Sequence, residues 1–368
     1  MNGDKKYVVG AISSHGHERG HVLVLDQLPE VEVIHVCAAT ELADVDEMAA
    51  ESAKVVSKTL DVKELLARRD LDAVTVCARA DHAPAILEQV VSAGLPVLYD
   101  KPGAVHSSYL RRVADLASVK GVTAGAMLQW RYHPMVQELK HAIRQGALGD
   151  VMTIEGKLLN GLLLYRDTST YQFDPKTAGS GILSWLGCHS LDLVLYLMEE
   201  RVVEVMAMVG NLNPERVAVE DTGFLVLQFE SGRLGTFHAG YHLRGGKGTY
   251  DFYIGMRGTE GFAELPLVRP SAPSAHHEAE DAGTYVLFSE ARHWVAGRMR
   301  RQTFEMPETP GYGGIMAEQL FSDFLKSSRT GAPAPAPIQD SAHLLEIVEA
   351  AKESSATRRA VRIGDMRA

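Results

Sequence analysis

The strongest constraint lies in the first third of the chain, where short, continuously apolar β-rich runs alternate with helical patterns. Tyr7–Ile12, Glu32–Cys37, Ala73–Cys77 and Val97–Tyr99 read as strands buried on both faces, the pattern of a parallel sheet covered by crossover helices. One such helix spans Pro84–Ala93, with Ile86, Leu87, Val90 and Val91 on one face, Pro84 in its first turn and Gly94 after its end. The expected fold is α/β, a doubly wound parallel sheet that ends near Val122–Gly125.

The style then changes. Pro134 opens a helix carrying Val136, Leu139 and Ile143, closed near Gly146. Longer strands follow at Val151–Leu159, Val202–Val209, Thr222–Glu230, Arg233–Tyr241 and Tyr250–Met256, with Ser231-Gly232 as a hairpin turn. Strands in succession predict an α+β domain with a mainly antiparallel sheet. The expected domains are residues 1–126 and 127–368. Residues 270–283 read as a loop, Ala332–Pro337 as a stiff extended connector, and Ser341–Ala356 as a closing helix.

Composition excludes several functions. A chain of 368 residues, 46% hydrophobic and 23% charged, is ordinary globular protein. A net charge of −10 with no basic cluster argues against nucleic acid as a partner. Cys37, Cys77 and Cys188 form no CxxC pair, which argues against a disulfide framework or zinc ribbon. The N-terminal apolar run is too short for a signal peptide, and no run reaches the ~18 residues of a membrane span. The expectation is a cytoplasmic protein with no membrane partner.

Four segments carry candidate chemistry. In the first turn, Ser13, Ser14, His15, Gly16 and His17 lie between a strand and a helix, where backbone N–H groups can meet a dinucleotide pyrophosphate. The glycines do not follow GxGxxG, so the turn by itself fits cofactor binding or an ordinary strand–helix connection. After the second strand, Thr40 and Glu41 stand where an acid would meet a ribose. No Arg is there for a 2′-phosphate, which favours NAD over NADP. Asp100-Lys101-Pro102 puts a lysine at the carboxyl end of a parallel strand, able to steady a developing oxyanion. Gly181–Met198 reads as one helix with Trp185, His189 and Asp192 on one face. There His189 is a candidate base, oriented by Asp192. No metal site is expected: His15, His17 and His21, like His276 and His277, lack a Cys or carboxylate at zinc spacing and read as polar loop histidines.

The order of motifs resembles one family. Asp81-His82-Ala83-Pro84 precedes Asp100-Lys101-Pro102, similar to the family's Glu-Lys-Pro. Trp130-Arg131-Tyr132-His133-Pro134, Gly146-Ala147-Leu148-Gly149-Asp150-Val151, Gly179-Ser180-Gly181, His189-x-x-Asp192 and Glu220-Asp221-Thr222 follow in order. This series is similar to the Gfo/Idh/MocA oxidoreductases, which include glucose–fructose oxidoreductase and inositol dehydrogenase. The resemblance implies a Rossmann domain, then an α+β domain whose large open sheet makes homodimer or homotetramer contacts. It implies NAD or NADP as cofactor and a sugar, polyol or cyclitol derivative as substrate. Lys101 and His189 match the catalytic pair. Ser13, Ser14, His15, Gly16, His17, Thr40, Ala78, Arg79, His82, Asp100, Lys101 and Arg131 form the expected cofactor set. Lys101, Arg131, Tyr171, Trp185, His189 and Asp192 form the expected substrate set. Trp185 stands where many of these dehydrogenases have an Asp, and could stack on a sugar ring. The activity expected is an NAD(P)-dependent dehydrogenase. Glycosidic cleavage by transient oxidation and a non-catalytic NAD(P)- or sugar-binding sensor are the alternatives.

Overall fold

A computed structural model of the chain describes residues 5–244, 249–267, 283–294 and 298–365. Its contacts group into two compact units, 1–129 with 308–342, and 130–307 with 343–368.

In the first unit, β1 (Tyr7–Ser13), β2 (Val31–Ala38), β3 (Val55–Thr59), β4 (Ala73–Cys77), β5 (Val97–Tyr99) and β6 (Ala124–Ala126) form a parallel sheet in the order β3-β2-β1-β4-β5-β6. The central strands are buried along almost their whole length, as their uninterrupted apolar runs require. Strand order reverses between β1 and β4. The carboxyl ends of those strands border the crevice where doubly wound sheets bind ligands. Strand β3 lies at one edge and no residue of it is buried, so it leaves no apolar signature in the sequence.

Residues 308–342, which the sequence reading places in the second domain, are grouped with the first unit. The helix Gly314–Thr330 packs on α1 (Glu18–Gln27), with Phe321 edge-on to His21 at 5.6 Å. The proline-rich connector, expected to be extended, meets β6 at its end: Ala126 N–H donates to Ala336 O at 2.8 Å, and Pro337 bridges Gly125.

The second unit is built on a nine-stranded sheet. Its strands are β7 (Val151–Asn160), β8 (Val202–Gly210), β9 (Thr222–Phe229), β10 (Leu234–Gly240), β11 (Tyr250–Gly258), β12 (Gly261–Leu267), β13 (Thr284–Ser289), β14 (Met299–Thr303) and β15 (Val361–Arg362). Their order is β14-β13-β12-β11-β7-β10-β9-β8-β15. All pairs are antiparallel except β7–β10. The hairpin expected at Ser231-Gly232 joins β9 to β10, with Gly232 at φ +87°. One face of the sheet is covered by the helix Gly187–Met198. On the other face, Met206, Met208, Phe224, Val226 and Leu234 are each about half exposed. Residues 270–282 of the expected loop, with His276 and His277, lie outside the described residues.

The single helix expected over Gly181–Met198 is two. Ile182–Trp185 and Gly187–Met198 are separated at Leu186, where the backbone leaves helical geometry (φ −120°, ψ −39°). Trp185 and His189 therefore do not share one helical face, and the four-residue spacing argument for them fails. Among the described residues, no single helix is long and apolar enough to cross a membrane.

Candidate active site

The dinucleotide turn follows from the end of β1. Ser13 and Ser14 are fully buried, Ser14 N–H donates to Cys77 O at 3.0 Å, and the Ser14 hydroxyl accepts from Arg79 N–H at 3.1 Å. Thr40 closes the turn from β2, donating its hydroxyl to Ser14 O at 2.9 Å. Gly16 sits at φ +132°, where a Cβ would come within 3.2 Å of Cys77 Sγ. The N-cap residue, His17, makes no side-chain capping bond to α1, so the helix start keeps donors free of a capping side chain. That is the arrangement in which a helix N-terminus receives a phosphate. The turn thus fits a dinucleotide through backbone donors although it departs from GxGxxG. Arg79 is held in a fork by Asp81 at 2.7–3.0 Å, and His82 lies 3.7 Å from the same carboxylate.

Below the turn lies a polar cluster that the linear sequence does not group. His17 Nδ1 donates to Asp100 Oδ2 at 2.7 Å, and its ring stacks on Tyr312 at 3.6 Å. The Cys77 thiol donates to Asp100 Oδ2 at 3.6 Å, and His21 Nδ1 shares a hydrogen bond with Thr75 Oγ1 at 2.9 Å. His21 is a buried helix residue, not the polar loop histidine the sequence suggests. Burial pushes its imidazole down to about 4 and pushes the Cys77 thiol well up. Burial also raises Asp100, but the His17 charge and hydrogen bond and the Lys101 ammonium outweigh it and hold this carboxyl below the usual range. Lys101 itself is buried. Tyr312 escaped the sequence reading. Its signal was a lone aromatic among Gly311, Gly313 and Gly314.

In the second unit, His189 is 1% exposed. It borders a small cavity of about 10 Å³ with Trp130, Leu158, Leu186, Tyr250, Phe252 and Leu267. Trp185 is buried and meets Tyr171 edge-on at 5.6 Å, so these two expected substrate residues come together. Asp192, expected to orient His189, clasps Arg131. The Nε atom of Arg131 lies 3.0 and 3.2 Å from the two carboxylate oxygens, and Nη2 lies 2.5 Å from Oδ1. Both side chains are buried, and the guanidinium lies 5.0 Å from the Tyr196 ring.

The start of the histidine segment is fixed by Glu220. Its Oε1 accepts from Ser180 Oγ at 2.5 Å, Gly181 N–H at 2.7 Å and Leu183 N–H at 3.2 Å. A carboxylate at a helix N-terminus satisfies orphan donors and the helix dipole together. A Cβ on Gly181 would lie 1.9 Å from Glu220 O, so this close approach requires glycine. Two motifs distant in sequence, Gly179-Ser180-Gly181 and Glu220-Asp221-Thr222, are thereby one device.

Comparison with known proteins agrees with this architecture. Residues 7–127 match the oxidoreductase family with an NAD-binding Rossmann fold, and residues 136–264 match the GFO/IDH/MocA C-terminal domain. Myo-inositol dehydrogenase Hyg17 of Streptomyces leeuwenhoekii is 28% identical over 247 residues, 66% of this chain and 72% of that protein. Myo-inositol 2-dehydrogenase of Thermotoga maritima is 24% identical over 309 residues, 83% of this chain and 84% of that protein. Among solved structures, levoglucosan dehydrogenase in complex with NADH superposes with a TM-score of 0.80 at 20% identity, covering 97% of this chain and 99% of that one. GenD2 from gentamicin A biosynthesis, in complex with NAD, gives 0.75 at 22% identity, covering 99% and 97%.

Proposed function

The chain belongs to the GFO/IDH/MocA oxidoreductases, and from that premise we propose that it is an NAD(P)-dependent dehydrogenase of a sugar, polyol or cyclitol derivative. The observation that carries this reading is His189, a buried imidazole beside an aromatic-lined cavity, in a chain whose first unit has a turn suited to a dinucleotide. His189 accepts the proton of the substrate hydroxyl. Lys101, in the first unit, is the second candidate catalytic group, an ammonium able to offset a developing oxyanion charge. Arg131, Tyr171, Trp185 and Asp192 belong to the substrate-binding side. Arg131 is kept in place by Asp192 and Tyr196. Ser13 to His17, Thr40, Ala78, Arg79, His82 and Asp100 belong to the cofactor side. The nicotinamide, when bound, supplies the two-electron acceptor.

The half-exposed apolar row on β8–β10 supports a homodimer or homotetramer formed through the open sheet. Three buried free thiols fit a reducing cytoplasm.

The test is titration with NADH and NADPH, then a sugar and polyol panel followed at the reduced nicotinamide absorbance. His189→Ala and Lys101→Met should each lower turnover by roughly a hundredfold or more. Unchanged turnover in either variant refutes the roles given. Cofactor that survives purification, with turnover but no net nicotinamide reduction, would favour glycosidic cleavage by transient oxidation.

A further inference from the structure

We propose that His21, Cys77 and Asp100 form a zinc site beneath the first turn. One ligand-capable atom from each lies within 4.8 Å of the others, and all three side chains are buried. A tetrahedral zinc ion has ligand atoms about 3.3–3.8 Å apart, and the one pair with a direct contact, Cys77 Sγ and Asp100 Oδ2, lies 3.6 Å apart. Sulfur, imidazole nitrogen and carboxylate oxygen are zinc's own donor set. The ligands come from α1 and from the ends of β4 and β5, residues far apart in sequence.

Two independent observations point to a ligand. Among the described residues, neither His21 Nε2 nor Asp100 Oδ1 has a hydrogen-bond partner. Such atoms occur elsewhere among the described residues too, so it is the meeting of two in one His–Cys–Asp cluster that points to a ligand. Each ligand also has an outer partner on its other side. Thr75 Oγ1 holds His21 Nδ1, which leaves Nε2 as the coordinating nitrogen. His17 Nδ1 holds Asp100 Oδ2, the oxygen that also lies 3.6 Å from Cys77 Sγ. The His17 backbone N–H points at Cys77 Sγ at 3.0 Å. Such outer hydrogen bonds orient metal ligands.

On binding, the Cys77 S–H bond is replaced by an S–Zn bond, the proton passes to solvent, and no electrons are exchanged. Three protein ligands leave a fourth position for water. The ion ties the start of α1 to the ends of β4 and β5, the elements that flank the dinucleotide turn.

The test uses the full chain stripped with a chelator and titrated with zinc, then with cobalt as a spectroscopic probe. We expect one ion per chain and a thiolate-to-cobalt charge-transfer band. Cys77→Ser should abolish the band, and His21→Gln should weaken binding by roughly tenfold or more. Cys37→Ser and Cys188→Ser should bind as the unmodified chain does. Zinc should also raise the melting midpoint of the unmodified chain, since an ion that binds only the folded state stabilises it. This readout stands even if a variant does not fold. Absence of the band, its persistence in Cys77→Ser, or a melting midpoint of the unmodified chain unmoved by zinc overturns the proposal. None of these readouts depends on dehydrogenase activity.

Discussion

Replacing Asp192 by Asn should cost the second unit about 3–5 kcal/mol, the usual penalty for removing one partner of a buried ion pair. The side chains of Arg131 and Asp192 are 5% and 1% exposed, so solvent cannot take over the lost role. Asn keeps the shape and one acceptor oxygen but removes the counter-charge of the guanidinium. The Tyr196 face, 5.0 Å from it, offsets only part of the loss, since such a contact contributes about 0.5–2 kcal/mol. At roughly 2–4 °C per kcal/mol for a unit of this size, the melting midpoint should fall by about 6–20 °C. Tryptophan fluorescence is the right assay, because Trp130, Trp185 and Trp294 all belong to the second unit. The double variant Arg131→Met with Asp192→Leu should be much less damaged than the sum of the single changes, because neither charge is then stranded. A loss below about 1 kcal/mol in Asp192→Asn, or full additivity in the double variant, would refute the reasoning.

Gly181→Ala should prevent native packing around Ile182–Trp185, because the new Cβ would lie 1.9 Å from Glu220 O. The expected result is a destabilised protein with turnover reduced alongside it, and a wild-type melting curve would contradict the clash. If the proposed oligomer forms through the open sheet, Phe224→Lys should shift it toward monomer in light scattering, since Phe224 lies between Met208 and His238 across three strands of that face. An unchanged mass would remove that face from the interface. His238 is held down to about 4, chiefly by burial and then by His242 and Lys157. Its folded value lies below its unfolded value, so its contribution is present above about pH 6.5 and is lost as pH falls toward 4. His238→Gln should therefore flatten the acid limb of stability in that window, and an identical limb in urea titrations would count against it.

The amino-acid sequence by itself determined the parallel sheet, the hairpin at Ser231-Gly232 and the order of family motifs. Burial on two faces, turn chemistry and helix ends are written in neighbouring residues. It was silent where that local signal is absent, as in edge strand β3, which has no buried residue. The tertiary structure decided the rest. It broke the histidine segment at Leu186, gave Asp192 to Arg131, joined Glu220 to Gly181, and grouped residues 308–342 with the first unit. It also brought His21, Cys77 and Asp100 into one cluster. These are contacts between residues far apart along the chain. Periodicity records which face of an element is apolar, but not which distant side chain that element will meet.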